Sequence, residues 1–252
     1  MPYFDPTPRI ISQSLEELRF IFSWVKDHGE TSEDPITVLI GGWAVDAYNP
    51  WYGSVDIDLV TNSRTKNSLK YALKNDRGYG TYEMWGESNS VSKQIDDSNI
   101  KEIIIDFISR EPIKFQGNLA DFDFNIPIEQ TAIKEIRGEV LAVVPKRSLL
   151  FLMKLKAAWD RTYRIRHNKC YNEDWERGKL VKDYADIIAL IDPGHGGSEL
   201  EIEFLGEKLN DYDFPKKCLE NIPKNFDAIR KYGRMTQDDV KDTIGQLLSL
   251  IG

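Results

Sequence analysis

Cysteine is scarce in this chain: Cys170 and Cys218 are the only two among 252 residues. They lack metal-ligand spacing, so they read as free thiols of a reducing compartment, and a disulfide scaffold is excluded. Long apolar runs are also missing. Nothing approaches the ~18 apolar residues a membrane span needs. The opening MPYFDPTPRI lacks a secretory-signal pattern, so no membrane association and a cytoplasmic location are expected. Positive charge is in deficit, with a formal net charge of −8. That disfavours tight non-specific nucleic-acid binding unless the basic residues cluster. The sequence holds no internal repeat and no low-complexity tract. PGHGG (193–197) lacks the Lys-Ser/Thr of a P-loop and reads as a flexible turn.

What is present is an ordinary globular composition, 41% hydrophobic and 29% charged, on a chain long enough for one large domain or two small ones. SQSLEELRFIFSWVKDHG predicts a first helix, with Ser14 as N-cap, Glu17 completing a capping box and Gly29 as the stop. ITVLIGG (36–42) predicts a short buried strand, WAVDAYN a helical turn behind the glycines, and SVDIDLVTN (54–62) a second strand. SLKYALKND (68–76) predicts a helix and KEIIIDFIS (101–109) a third strand. TAIKEIRGEVLAVVP (131–145) predicts two short strands turning at Arg137-Gly138. After Pro145 helical periodicity takes over, through KRSLLFLMKLKAAWDRTYRI, LVKDYADIIALID (180–192) and the stretches 199–209 and 235–251. The expected class is α+β: a small mixed sheet flanked by helices over 1–145, then a helical domain over 146–252.

Asp56 and Asp58 are spaced i, i+2, which in a strand puts both carboxylates on one face. Adjacent like charges repel, and a fold accepts them when a cation sits between. Mg²⁺ suits an all-oxygen pair and bridges nucleotide phosphates. Gly41-Gly42, ending the preceding strand, let backbone approach a phosphate closely. Asp106, a lone acid in an apolar strand, is the candidate third metal ligand and an acceptor for the proton of an attacking hydroxyl. Asp121 and Asp123 repeat the spacing as an alternative, without a preceding glycine pair. The bland alternative for Asp56 and Asp58 is an edge strand with solvated acids.

These residues resemble the nucleotidyltransferase superfamily that includes DNA polymerase beta, whose signature is a hydrophobic residue, Gly-Gly or Gly-Ser, a spacer and Asp-x-Asp. Here Ile40-Gly41-Gly42 is followed by Asp56-Ile57-Asp58. The second half is similar to the AbiEii-type nucleotidyltransferase toxins: Lys154, Ala157 and Arg161 match one motif, and Lys182, Asp183 and Asp186 another. The resemblance covers roughly residues 36–192. It implies a nucleotidyltransferase fold whose helical domain contributes Lys154 as a phosphate ligand and Asp183 as a second essential acid, a base or an orienter of Lys154. Gly41, Gly42, Ser54, Lys154 and Arg161 would bind nucleotide. It further implies an NTP co-substrate, Mg²⁺, an RNA acceptor such as the tRNA 3′ end, and an antitoxin partner. Two departures stand out: Tyr52 replaces an Arg common in the family, and residues 162–181 lengthen the link between the two C-terminal motifs.

That link is the basic cluster. From Arg161 to Lys182 there are seven Lys or Arg against three acids, interleaved with Tyr163, Tyr171 and Trp175. Such a mixture suits an RNA end, with bases stacked and phosphates paired, or else a solvated helix extension with its own ion pairs. His167 reads as a surface residue. Three functions compete: RNA nucleotidyl transfer, an adenylyltransferase for small molecules of the aminoglycoside or lincosamide kind, suggested by GGWAVDA, and a nucleotide-binding module without turnover.

Overall fold

The computed structural model describes residues 6–31, 33–84, 87–95, 102–109, 126–210 and 213–251. Asp121 and Asp123 lie outside the described residues. The described residues preceding Arg147 form one compact unit, and those from Arg147 onward form another. The class is α+β. No described helix is long and apolar enough to cross a membrane.

The first unit opens with α1 (Pro8–Asp27), which starts earlier than the capping-box reading implies. Thr7 is the N-cap and Pro8 fills the first turn, where a missing N–H costs nothing. Ser14 is instead a buried interior residue. Its hydroxyl donates to the Val55 carbonyl at 2.7 Å and accepts from Trp43 Nε1 at 2.9 Å. Glu17 is also buried, paired with Arg77 at 3.0 Å and Lys93 at 2.8 Å. A Ser-x-x-Glu inside a longer amphipathic run mimics a cap, and only the partners on other elements tell the two apart. Past the helix end Gly29 takes a φ of +91°, the left-handed stop that glycine permits.

Next come β1 (Val38–Ile40), α2 (Gly41–Tyr48), β2 (Ile57–Thr61) and α3 (Ser63–Arg77). They are followed by β3 (Gly80–Met84), β4 (Glu87–Gln94) and β5 (Glu102–Ser109). β3 and β4 escaped the sequence reading because ESNSVSKQ has almost no apolar alternation and is held by its neighbours. The mixed sheet runs β1-β2-β5-β4-β3, with β2 and β5 parallel and the other pairs antiparallel. Ile57, Leu59, Val91, Ile103, Ile105 and Phe107 are buried in its core. β6 (Thr131–Ile136) and β7 (Val140–Pro145) form a separate hairpin. It turns at Arg137-Gly138, both with positive φ, as a tight hairpin needs.

The second unit comprises α4 (Arg147–Arg166), α5 (Glu173–Ile191), α6 (Ile202–Asn210), α7 (Asp213–Asn221), α8 (Phe226–Tyr232) and α9 (Gln237–Ile251). α5 packs on α4 and α8, and Tyr184 through Ile191 are all buried, so this half of α5 is central. The supposed 162–181 link is mostly the facing ends of α4 and α5. Asn172 caps α5 by accepting from Trp175 N at 3.0 Å. PGHGG is not loose. Two short 3₁₀ turns, Pro193–His195 and Gly197–Glu199, pack under α5 so closely that a Cβ on Gly197 would sit 2.1 Å from the Ile191 carbonyl oxygen. Buried Arg147 donates to the Leu190 and His195 carbonyls at 3.1 and 2.9 Å, closing the helix end.

Candidate functional site

Strand β1 ends at Ile40, and the chain enters α2 through Gly41 with a φ of +72°. A Cβ built on Gly41 would lie 1.9 Å from Asp58 Oδ2. The glycine is therefore required twice, by its backbone conformation and by the carboxylate lying against it. Asp58 is in register with Ile40 on one side and with Asp106 on the other. In a parallel pair, residues in register share a face, and strands are ~4.8 Å apart, so the two carboxylates flank each other. One position further across the sheet, Ser90 is in register with Asp106, and its hydroxyl donates to Asp106 Oδ1. The result is a row, Ile40–Asp58–Asp106–Ser90, with two half-buried acids at its centre.

β2 begins at Ile57, so Asp56 precedes the strand rather than lying within it. Fully buried Ile57 separates two half-buried acids, but only Asp58 belongs to the strand. The loop that delivers Asp56 is pinned at several points. Buried Asp46 accepts from Gly53 N at 2.8 Å and from the Arg137 guanidinium at 2.7 and 3.1 Å. Arg137 also lies 5.4 Å from the Trp43 ring centre. Asp46 holds Arg137 charged, and the Ser14 bond to Val55 fixes the far end of the loop. Ser54 is buried within this stretch. Asp46, Arg137, Ser14 and Ser90 were all missed from sequence. A lone acid in the apolar WAVDAY was the available signal for Asp46, but its partner is 91 residues away.

Among the described residues no three His, Cys, Asp or Glu side chains come together as a preformed metal cluster. A Mg²⁺ site does not need one, because this ion is commonly held by one or two carboxylates with substrate phosphates and water completing its shell. Asp58 beside Asp106, with Asp56 preceding, offers such an all-oxygen donor set. Gly41→Ala should push the Asp58 carboxylate aside and strain the backbone, with a loss of about 2 kcal/mol in urea unfolding.

In the helical unit, Lys154 of α4 lies 3.2 Å from Asp183 Oδ1 and 2.7 Å from Asp186 Oδ2. Lys182 Nζ reaches both Asp186 oxygens at 2.9 Å. Arg161 spans Asp183 Oδ2 and Glu176 Oε2, each at 2.7 Å, and Arg164 meets Glu176 at 2.9 Å. Burial pushes the Asp183 carboxyl up, but Lys154 and Arg161 overcome it and hold it below the ordinary carboxylate range. Burial also raises Glu176, and Arg164 and Arg161 bring it below its usual value. Burial pushes the Lys182 ammonium down, Asp186 opposes this, and Lys154 adds to it. The structure thus brings Lys154, Arg161 and Asp183 together. It joins to them Lys182 and Asp186, which the motif matched without assigning a role, and Glu176, which it did not include.

The basic cluster is partly spent on these pairs: Arg161, Arg164 and Lys182 are engaged as above, and Arg177 pairs with Glu173. Tyr171 is 88% exposed and Trp175 partly so, with Lys179 5.4 Å from the Trp175 ring centre. No family model and no curated protein matches this chain.

Proposed function

We propose that the chain is a Mg²⁺-dependent nucleotidyltransferase, moving NMP from an NTP to a hydroxyl acceptor with release of pyrophosphate. The observation that carries this reading is the Asp58 carboxylate seated against a side-chain-free Gly41 and in register with Asp106. Two like charges in register on neighbouring strands repel, whereas a bound cation uses them together and the side-chain-free Gly41 leaves room for a phosphate.

Asp58 and Asp56 would hold Mg²⁺, with Asp106 as the third candidate. The ion would neutralise phosphate charge and stabilise the departing pyrophosphate. The acceptor oxygen forms a bond to the α-phosphorus as the bond to the bridging oxygen of pyrophosphate breaks. Asp106, oriented by Ser90, receives the hydroxyl proton. Gly41 and Gly42 leave the backbone open to the phosphates, with Ser54 in the pinned loop. Lys154 is assigned to a phosphate oxygen, with Asp183 as the acid that orients it.

For the acceptor we infer RNA, supported by the exposed Tyr171 and by the cations Lys179 and Arg161 gathered at the partly exposed Trp175. A small hydroxylated acceptor is the second reading, favoured by the ion pairs that neutralise Arg161, Arg164, Arg177 and Lys182. Incubation with Mg²⁺, each of the four labelled NTPs and total RNA, followed by mass spectrometry of the RNA, tests both. Label on RNA supports the first reading, and label only on an added small-molecule pool supports the second. No transfer with any NTP to either pool overturns the assignment.

A further inference from the structure

Both carboxylates that Lys154 touches already have another cation. Asp186 is fully buried, and both its oxygens are bound by Lys182 from one turn away on the same helix. Asp183 is held through Oδ2 by Arg161, which is itself anchored to Glu176 and lies 5.4 Å from the Trp175 ring centre. If the Lys154 ammonium turned away, neither acid would lose its last counter-ion. The reverse does not hold. Without Lys182, Lys154 is the cation bound to Asp186, and leaving would bare a buried carboxylate at heavy cost. The chemistry of the side chains fits this division. Lysine carries a compact charge on a flexible stem, whereas the Arg161 fork is fixed at two points.

We propose that Lys154 is the exchangeable cation of this network, and that Lys182 and Arg161 are standing counter-ions that let it transfer to a phosphate. This rests on the phosphate role given to Lys154 above. Lys182 and Arg161 are positioning residues here: they set the cost of releasing Lys154. It follows that removing Lys182 weakens phosphate binding by locking Lys154 onto Asp186, and that removing Asp186 as well restores it. A direct phosphate ligand shows the first effect but not the second.

The experiment is calorimetric titration of the full chain with inorganic triphosphate in the presence of Mg²⁺, with thermal melting of each variant. Lys154→Met and Lys182→Met are each expected to weaken binding about tenfold or more, and the double variant Asp186→Asn/Lys182→Met to return to within about threefold of wild type. Lys241→Met, which removes one exposed cation of α9, controls for long-range charge and is expected to have a small effect. In melting, Lys154→Met is expected near wild type and Lys182→Met clearly lower. Lys182→Met binding like wild type, no recovery in the double variant, or the opposite melting order overturns the inference. If Lys154→Met binds as tightly as wild type, the phosphate role of Lys154 fails and the exchange with it. If Lys154→Met weakens binding and Lys182→Met does not, the phosphate role stands and the counter-ion role alone falls. Should Lys182→Met not fold, Asp186→Asn alone reads the same quantity. Tighter triphosphate binding is expected, and unchanged or weaker binding overturns the proposal.

Discussion

Asp58→Asn is expected to lower nucleotidyl transfer by about a thousandfold or more without loss of the fold. The amide keeps the shape of the side chain against Gly41, so the strand-to-helix turn and the register with Ile40 and Asp106 have no steric reason to change. What disappears is the negative charge that the proposed Mg²⁺ would require. The stability change should have the opposite sign to the activity change. Relieving two like charges opposed on neighbouring strands is worth about 0.2–1 kcal/mol, so the variant should unfold at equal or slightly higher urea. Single-turnover transfer and urea titration on the same preparations check both halves. Wild-type activity in Asp58→Asn, or a large loss of stability with it, removes this residue from the chemistry. Asp106→Asn should likewise keep the fold, because the Ser90 hydroxyl still has an acceptor there, while removing the proposed proton acceptor.

Asp183→Ala carries the largest expected stability loss, about 3 kcal/mol, because it removes a buried acid from between two cations and leaves Lys154 with Asp186 alone and Arg161 with Glu176 alone. Asp183 accepts from Arg161 and sits beside Lys154 in a setting where water replaces neither contact. Acid should produce part of the same effect in the wild-type chain. Asp183 and Glu176 both titrate below their ordinary range in the folded state. In acid the unfolded chain therefore binds protons that the folded chain refuses, and stability falls as pH drops. The contribution is complete above the unfolded carboxylate value of about 4 and is lost as pH falls through the folded values beneath it. Urea unfolding followed by helical circular dichroism between pH 7 and pH 2.5 measures it. Asp183→Ala should be less stable at pH 7 and show a shallower decline with acid. A decline as steep as wild type would mean that Asp183 contributes little of the acid sensitivity.

Much of the chain could be read locally. Period-two and helical patterns, the Gly29 stop, the Arg137-Gly138 hairpin turn and the strand carrying Asp106 follow from contacts or backbone preferences within a few residues. The closeness of Gly41 to Asp58 was legible too, because one short connection separates them. Ser14 and Glu17 were misread for the same reason: a local cap pattern was present, but Val55, Trp43, Arg77 and Lys93 claim those side chains. Register across a sheet and charge balance between helices are long-range quantities. Asp106 becomes Asp58's neighbour only when β5 pairs with β2. Lys182 and Asp186 acquire meaning only when α4 brings Lys154 against α5. Nearest-neighbour preferences act along the chain, whereas desolvation of charge depends on everything packed around it, so composition and spacing supply the candidates and packing selects among them.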